Sequence, residues 1–295
     1  MFGRTLMTLG LAMLLAAPAH AGFGLVLPDS PIVDDPEKTS LNLVICAIDP
    51  ATGAGIPIER PQVFTALRYS GDNMDRSEHL SVLDEVVAYG ARAWTTNISL
   101  PHPGVYQLVM QTKAGWVPEQ DKFVQYVTKV QIPAYGSAEG WDKPANISFE
   151  ISPLSRPFGL CSGMAFSGQA LFDGTPIPGA LIDVARLDPA IKPNVAQPED
   201  PNAPPQDDKA QPKAKKQDKQ PTPQPISAFG ATQQVKADGQ GVFTFVCPLP
   251  GWWAFSTSMA GDPLQDPEGK QKPLEIKTIF WVYMNDCPNT APSKK

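Results

Sequence analysis

The stretch Asp72-Asn73-Met74-Asp75-Arg76-Ser77-Glu78-His79 brings carboxylate, thioether and imidazole side chains into one short segment. Those donor types together can ligate a divalent cation. The spacing is not that of an EF-hand loop and supplies a single imidazole, so a polar hairpin loop accounts for the same residues without a metal. Asp72, Glu78 and His79 are the candidates to follow. His102 stands between two prolines in a turn and reads as an exposed loop residue. No Ser/His/Asp or Cys/His set can be assembled, so no nucleophile or general base can be named. The expectation is a protein that is not an enzyme.

Cys46, Cys161, Cys247 and Cys287 are far apart and lack CxxC spacing. In an oxidising compartment that reads as disulfide chemistry rather than a zinc site. Three pairings are open. A bridge from Cys161 to either Cys247 or Cys287 closes a long loop and is worth roughly 4–5 kcal/mol in the chain-entropy account. Buried free thiols are the alternative, above all for Cys46 in the strand-like run Leu41–Cys46.

Six tryptophans raise the question of a carbohydrate platform. Trp94 and Trp281 lie within strand-like runs and read as core, while Trp116 and Trp141 follow glycines in loops and read as lids. Trp252 and Trp253 are adjacent, and in a strand they must point to opposite faces. One faces inward; the other is a candidate interface residue.

The elements that must hold these residues read as short alternating runs between Pro, Gly and Asp turns. In the first half they are Thr39–Ile48, Gln62–Tyr69, Ala91–Ser99, Val105–Gln111, Phe123–Ile132 and Asn146–Ile151. In the second they are Leu160–Phe172, Leu181–Leu187, Ser227–Val235, Gly241–Cys247, Trp252–Thr257 and Leu274–Met284. Ser81–Ala88 is the best helix candidate, and it is short. The pattern predicts an all-β protein of two tandem Ig-like or carboxypeptidase-regulatory-like β-sandwiches, one over 22–153 and one over 154–295. A weak internal repeat supports the pair: Pro103-Gly104-Val105-Tyr106 answers Pro250-Gly251-Trp252-Trp253.

Two stretches stand outside that scheme. Residues 1–21 carry a positive Arg4, an apolar run Leu6–Ala17 and a small-x-small site at Ala19-His20-Ala21, the pattern of a signal peptide. The apolar run is too short to span a bilayer. Cleavage after Ala21, with Ala19 as a second register, predicts an exported, periplasmic chain with no direct membrane insertion after cleavage. Residues 22–38 read as an extended arm along the first sandwich. Residues 188–225 are rich in Pro, Lys and Asp and lack aromatics, so they read as a disordered insertion between two strands of one sandwich. Its Lys213–Lys219 tract is neutralised by Asp207, Asp208 and Asp218 and reads as a solvated spacer. The charge balance, 24 Lys+Arg against 30 Asp+Glu, argues against nucleic acid as a partner.

A series of short motifs carries a resemblance. In order they are Glu59-Arg60-Pro61, the run from Gly115-Trp116-Val117-Pro118 to Phe123, Glu139-Gly140-Trp141, the run from Pro153 through Ser155-Arg156-Pro157-Phe158 to Leu160, Ala237 to Phe243, and Pro250-Gly251-Trp252-Trp253. Together they resemble an exported bacterial family of tandem β-sandwiches of unknown function associated with nickel/cobalt uptake transporters. The resemblance implies a non-catalytic periplasmic accessory role, presenting metal or docking to membrane transporter subunits or another periplasmic protein. The alternative is a structural or interaction module of the envelope with no metal. Family members place His soon after the cleavage site and in a His-Pro before the first Gly-rich turn, with Met after it. Here those positions are Gly22, Asp49-Pro50, Ile56 and Ile58. Any nickel or cobalt site is therefore expected to be weak and oxygen-rich, drawn from Asp49, Asp72, Glu78 and His79.

Overall fold

The computed structural model describes residues 22–50, 52–189, 191–198 and 232–287. In the first half the strands are β1 (Phe23–Pro28), β2 (Ser40–Ile48), β3 (Gly55–Ile56), β4 (Val63–Ser70) and β5 (Asn73–Glu78). They continue with β6 (Asp84–Ala88), β7 (Ala91–Ser99), β8 (Gly104–Gln111), β9 (Gly115–Val117) and β10 (Lys122–Ala134). Then come β11 (Phe149–Pro153), β12 (Leu160–Cys161), β13 (Ala165–Phe172), β14 (Thr175–Pro176) and β15 (Leu181–Leu187). The last four are β16 (Gln233–Lys236), β17 (Val242–Val246), β18 (Gly251–Gln265) and β19 (Gln271–Asn285). The only helical turns among the described residues are two short 3-10 turns, Leu80–Val82 and Pro118–Gln120. The protein is all-β.

Alternation turned into strands where one face had a core to enter, and three expectations changed. The helix candidate Ser81–Ala88 is a 3-10 turn followed by β6, in which Val86 and Ala88 are buried with exposed residues before them. Valine at that spacing suits a pleated surface better than a helix. The supposed loop over 72–79 is a strand, β5, exposed along its whole length. Its alternating charges suit the open edge of a sheet, where they discourage pairing with other chains. The arm over 22–38 begins as β1, antiparallel to β2 over its full length.

The strands form two β-sandwiches that share a sheet. A five-stranded sheet runs β1-β2-β7-β6 with β3 beside β2. A ten-stranded sheet runs β16-β15-β18-β19-β10-β8-β4-β5, with β12 on β19 and β9 on β10. A four-stranded sheet runs β11-β13-β14, with β17 on β13. The two halves join in the middle sheet, where β10 lies parallel to β19 from Phe123↔Leu274 to Val130↔Trp281. Both strands of the internal repeat, β8 and β18, start at the repeat's glycine and lie in that sheet. The expected boundary at 153/154 falls just after β11, which pairs with β13 in the four-stranded sheet rather than with first-half strands.

Alternation then assigns each face of the middle sheet to a core. Val130, Ile132, Leu108, Ile279, Trp281, Trp252 and Leu187 join the core beneath the five-stranded sheet. Phe280, Val282, Trp253, Phe255, Ile182 and Val184 join the core under the four-stranded sheet, with Phe166 and Phe243. Where no sheet covers the second face, residues 139–147 do. The Gln107 amide donates to Lys143 O at 2.8 Å, the Gln131 amide to Trp141 O at 2.9 Å and the Tyr69 hydroxyl to Pro144 O at 2.8 Å. Trp141 thus lies in a segment that covers a sheet face, where its carbonyl is the group engaged, rather than in a lid over a sandwich end.

Cys161 pairs with Cys287, across 126 residues, which ties β12 to the chain beyond β19; Cys46 and Cys247 are buried thiols. The expected disordered insertion differs at its first part. Residues 188–198, apart from 190, run to the edge of the five-stranded sheet, where Ala196 exchanges two backbone hydrogen bonds with Val87 (2.8 and 3.0 Å). A Pro-rich segment is already extended, so adding a bridge to an edge strand costs it little ordering. Residues 199–225, like residues 1–21, where a signal peptide is expected, lie outside the described residues.

Candidate functional site

The nominated metal ligands sit on two sheets. Asp49 closes the turn after β2, where its N–H donates to Ala54 O at 2.9 Å and its carbonyl accepts from Gly53 N–H at 2.7 Å. Asp72, Glu78 and His79 lie at the β4–β5 edge of the ten-stranded sheet. There Asp72 pairs with Lys143 (3.1 Å) and Glu78 with Arg76 (2.7 Å). His79 Nε2 is 2.9 Å from Ser77 Oγ, and its ring leans on Phe64 with centroids 6.0 Å apart. Partial burial lowers the imidazole pKa and the Glu78 charge opposes that shift. In a strand, Glu78 and Ser77 alternate faces, so the segment that looked compact in sequence does not converge on a point. Among the described residues no group of three or more His, Cys, Asp or Glu is placed to hold a metal ion. Burial pushes the Cys46 and Cys247 thiols up to about 12, which keeps them protonated at neutral pH.

The positions where the family resemblance implies ligands do meet. Gly22 is buried against Ile56 and Tyr126, so tightly that a Cβ there would have no room beside the Tyr126 hydroxyl. Ile56 and Ile58 line a cavity of about 350 Å³ with Trp116, Val117 and Tyr126. Burial, and after it the Glu275 charge, raises the Tyr126 pKa and keeps the phenol neutral. The resulting corner joins apolar side chains to the Tyr126 hydroxyl, and Glu59, Arg92, Lys113 and Glu119 line the same cavity. It can pack an aliphatic or aromatic group and offers no imidazole, thioether or thiolate to a metal.

The tryptophan pair divides as a strand requires. Trp253 is buried in the second core, where its indole N–H donates to Leu249 O at 2.9 Å and its ring lies 5.7 Å from Phe245. Trp252 faces the core shared by both halves, with its ring 5.1 Å from Tyr283. Trp252 and Tyr283 together border two cavities, of about 250 and 410 Å³, on either side of Pro31. The larger one is flanked by the chain's own Pro189, Ile191 and Pro193. The smaller one lies where β10 and β19 part company. Their pairing ends at Val130↔Trp281, after which β10 stays with β8 and β19 takes β12 as its neighbour. Gln131 and Pro133 line the cavity from one prong, Tyr283 and Asn285 from the other, and Arg156 and Phe158 close it. Sequence reading singled out Trp252 and Trp253 as a pair, without choosing between them, and missed this cavity. The fork depends on pairings between strands more than a hundred residues apart, which no local pattern encodes.

A family model described as "Domain of unknown function (DUF4198)" matches residues 17–261. No curated protein matches the chain. Among solved structures it is similar to the D0-D1 domain of intimin at 8% identity, covering 90% of this chain and 100% of that one, with a TM-score of 0.19. A marsupial T cell receptor matches at 10% identity over 88% of this chain and 73% of that one, TM-score 0.19. Latent PorU from Porphyromonas gingivalis matches at 11% identity over 89% of this chain and 20% of that one, TM-score 0.21.

Proposed function

The chain belongs to the family of the domain of unknown function DUF4198, and from that premise we propose that it is a non-catalytic accessory protein of the cell envelope that works by docking. The observation that carries this reading is the placement of the polar candidates. Asp72 and Glu78 are held in ion pairs with Lys143 and Arg76, His79 leans on Phe64, and Asp49 lies on another sheet. Side chains so engaged serve the surface; a reacting or metal-holding group would need convergent partners. The Cys161–Cys287 bridge supports an oxidising compartment, consistent with export and a periplasmic home. Among the described residues no helix is long and apolar enough to cross a membrane.

The finer reading comes from the motif resemblance and concerns nickel/cobalt uptake. In that setting the chain docks to transporter subunits or a periplasmic partner, and it does not hold the metal tightly itself. Gly22, Ile56 and Ile58 support this, because these three residues, without imidazole or thioether, stand where family members place those groups. Borderline metals prefer nitrogen and sulfur donors to scattered carboxylates. Calorimetric titration of the oxidised mature protein with nickel is expected to give a Kd of tens of micromolar or weaker, an order-of-magnitude figure for so few borderline ligands. His79→Ala should weaken whatever binding remains. A sub-micromolar site would overturn the docking-without-holding reading.

A further inference from the structure

We propose that the cavity in the fork between β10 and β19 is a binding site for a small apolar carboxylate that also carries an N–H donor. This goes beyond the docking role and does not depend on it.

The walls set the apolar part. Trp252, Tyr283 and Phe158 present aromatic surface to a space of about 250 Å³, just below the range of drug-sized ligand pockets, roughly 300–1,000 Å³, and so suited to a small molecule or a single side chain. Aromatic rings at that spacing favour a flat or branched apolar group through offset and edge contacts. The fork leaves this space open because neither prong can fill it. Past Val130 the fork-side edge of β10 is taken by Val33, whose N–H donates to Pro133 O at 3.0 Å and whose carbonyl accepts from Tyr135 N–H at 2.7 Å, and the end of β19 is committed to β12 and β18.

Two polar groups set the rest of the ligand. Gln131 is 4% exposed and its amide N–H is used by Trp141 O, while its Oε1 has no hydrogen-bond partner. A buried acceptor left unpaired costs on the order of 1–3 kcal/mol, so a lining residue of this kind favours a ligand that supplies an N–H. Arg156 lines the same cavity with its guanidinium 5.5 Å from the Phe158 ring, and among the described residues it has no carboxylate partner. The cation–π contact with Phe158 restrains the guanidinium and leaves its N–H donors for a carboxylate. An unpaired cation on a chain of formal net charge −6 is a local feature, and it selects an anion at this place. A carboxylate, an N–H and an apolar body are the parts of an apolar amino acid, and equally of a peptide's C-terminal residue. The shared chemistry is the proposal, and the probes separate the two sources.

The test is calorimetric titration of the mature, oxidised protein with three probes: L-phenylalanine, N-acetyl-L-phenylalanine and N-acetyl-L-phenylalanine amide. At least one of the two carboxylates should bind saturably, and the amide, which lacks the carboxylate, should bind at least about tenfold more weakly. Preference for the acetylated acid points to a peptide C-terminus, and preference for the free one to an amino acid. Arg156→Gln, an exposed position away from both cores, should weaken the better probe about tenfold with an unchanged melting temperature. Gln131→Leu should weaken the probes that donate an N–H. The wild-type probe series tests the carboxylate independently of any variant. Absence of saturable binding by both carboxylates overturns the proposal, as does equal binding of the amide or indifference to Arg156→Gln.

Discussion

Two buried lysines illustrate how differently the same residue type can stand in one protein. Lys129 on β10 meets Glu150 on β11 in an ion pair whose side chains are 2% and 6% exposed, and its ammonium lies 4.9 Å from the Phe280 ring. Burial lowers its pKa and the Glu150 carboxylate opposes that shift. Removing one partner strands the other charge in the interior, so Glu150→Leu is expected to cost about 3–5 kcal/mol in urea unfolding. Adding Lys129→Met to that variant should restore most of the loss, because apolar pairs of similar volume replace buried ion pairs well. Lys277 is also 2% exposed, but among the described residues it has no ion pair; its ammonium lies 5.1 Å from the Phe23 ring. Burial lowers its pKa, with the Glu275 and Asp183 carboxylates raising it in part and Lys122 lowering it further. The native state therefore binds fewer protons than the unfolded chain from the lowered pKa up to the ordinary value near 10.5. Stability contributed at this site rises with pH through that window, and the penalty is present in full below it. Lys277→Met should raise stability at neutral pH by about 1 kcal/mol or more and flatten the alkaline rise. An unchanged unfolding midpoint in Lys277→Met would mean that solvent reaches the ammonium.

At the scale of elements, strands were legible and their partners were not. Runs such as Leu41–Ile48 and Ala91–Ile98 alternate because one side enters a core, and the sequence carries that period directly. Asn73–Glu78 lacked any buried face, so nothing in its residues distinguished an edge strand from a loop. The choice of Cys287 over Cys247 for Cys161 was likewise open in sequence. It follows from β12 lying parallel to the end of β19, a pairing set by three-dimensional neighbours. The same limit hid the binding fork: Gln131 reads as one more polar residue in an alternating strand until β19 turns away from it. The segment at 188–198 shows composition overridden by context. Its residues cannot build a core, yet the open edge of β6 supplies backbone partners. Ala196→Pro removes the N–H that donates to Val87 O at 3.0 Å, so it should lower stability by about 1 kcal/mol. A urea midpoint unchanged by Ala196→Pro would show that the segment rests on the sheet without stabilising it.

At the scale of the whole molecule, the tandem sandwiches share a sheet and a core. Two sandwiches joined only by a linker would each own a core and unfold separately. Here Trp281, from the last strand, packs edge-on against Phe23 with centroids 6.5 Å apart and donates its indole N–H to Gly24 O at 2.8 Å. Gly24 itself sits so close to Tyr126 and Thr128 that a Cβ would approach within 2.8 Å of both. The first strand, the middle of the chain and the last strand thus meet at one place. Cutting at the expected boundary would strip β10 of its parallel partner β19 and remove Trp252, Ile279 and Trp281 from the first core. The same cut would take β11, and Glu150 with it, from the four-stranded sheet. Full burial of each large apolar side chain is worth roughly 1.5–3 kcal/mol, so losing three of them exceeds a large part of a typical domain's 5–15 kcal/mol. Calorimetry of the full mature chain should accordingly show a single transition with equal van't Hoff and calorimetric enthalpies. The fragment 22–153 should show no cooperative transition of its own. Two resolved transitions, or a fragment that melts cooperatively, would show that the shared sheet divides more easily than its pairing and packing imply.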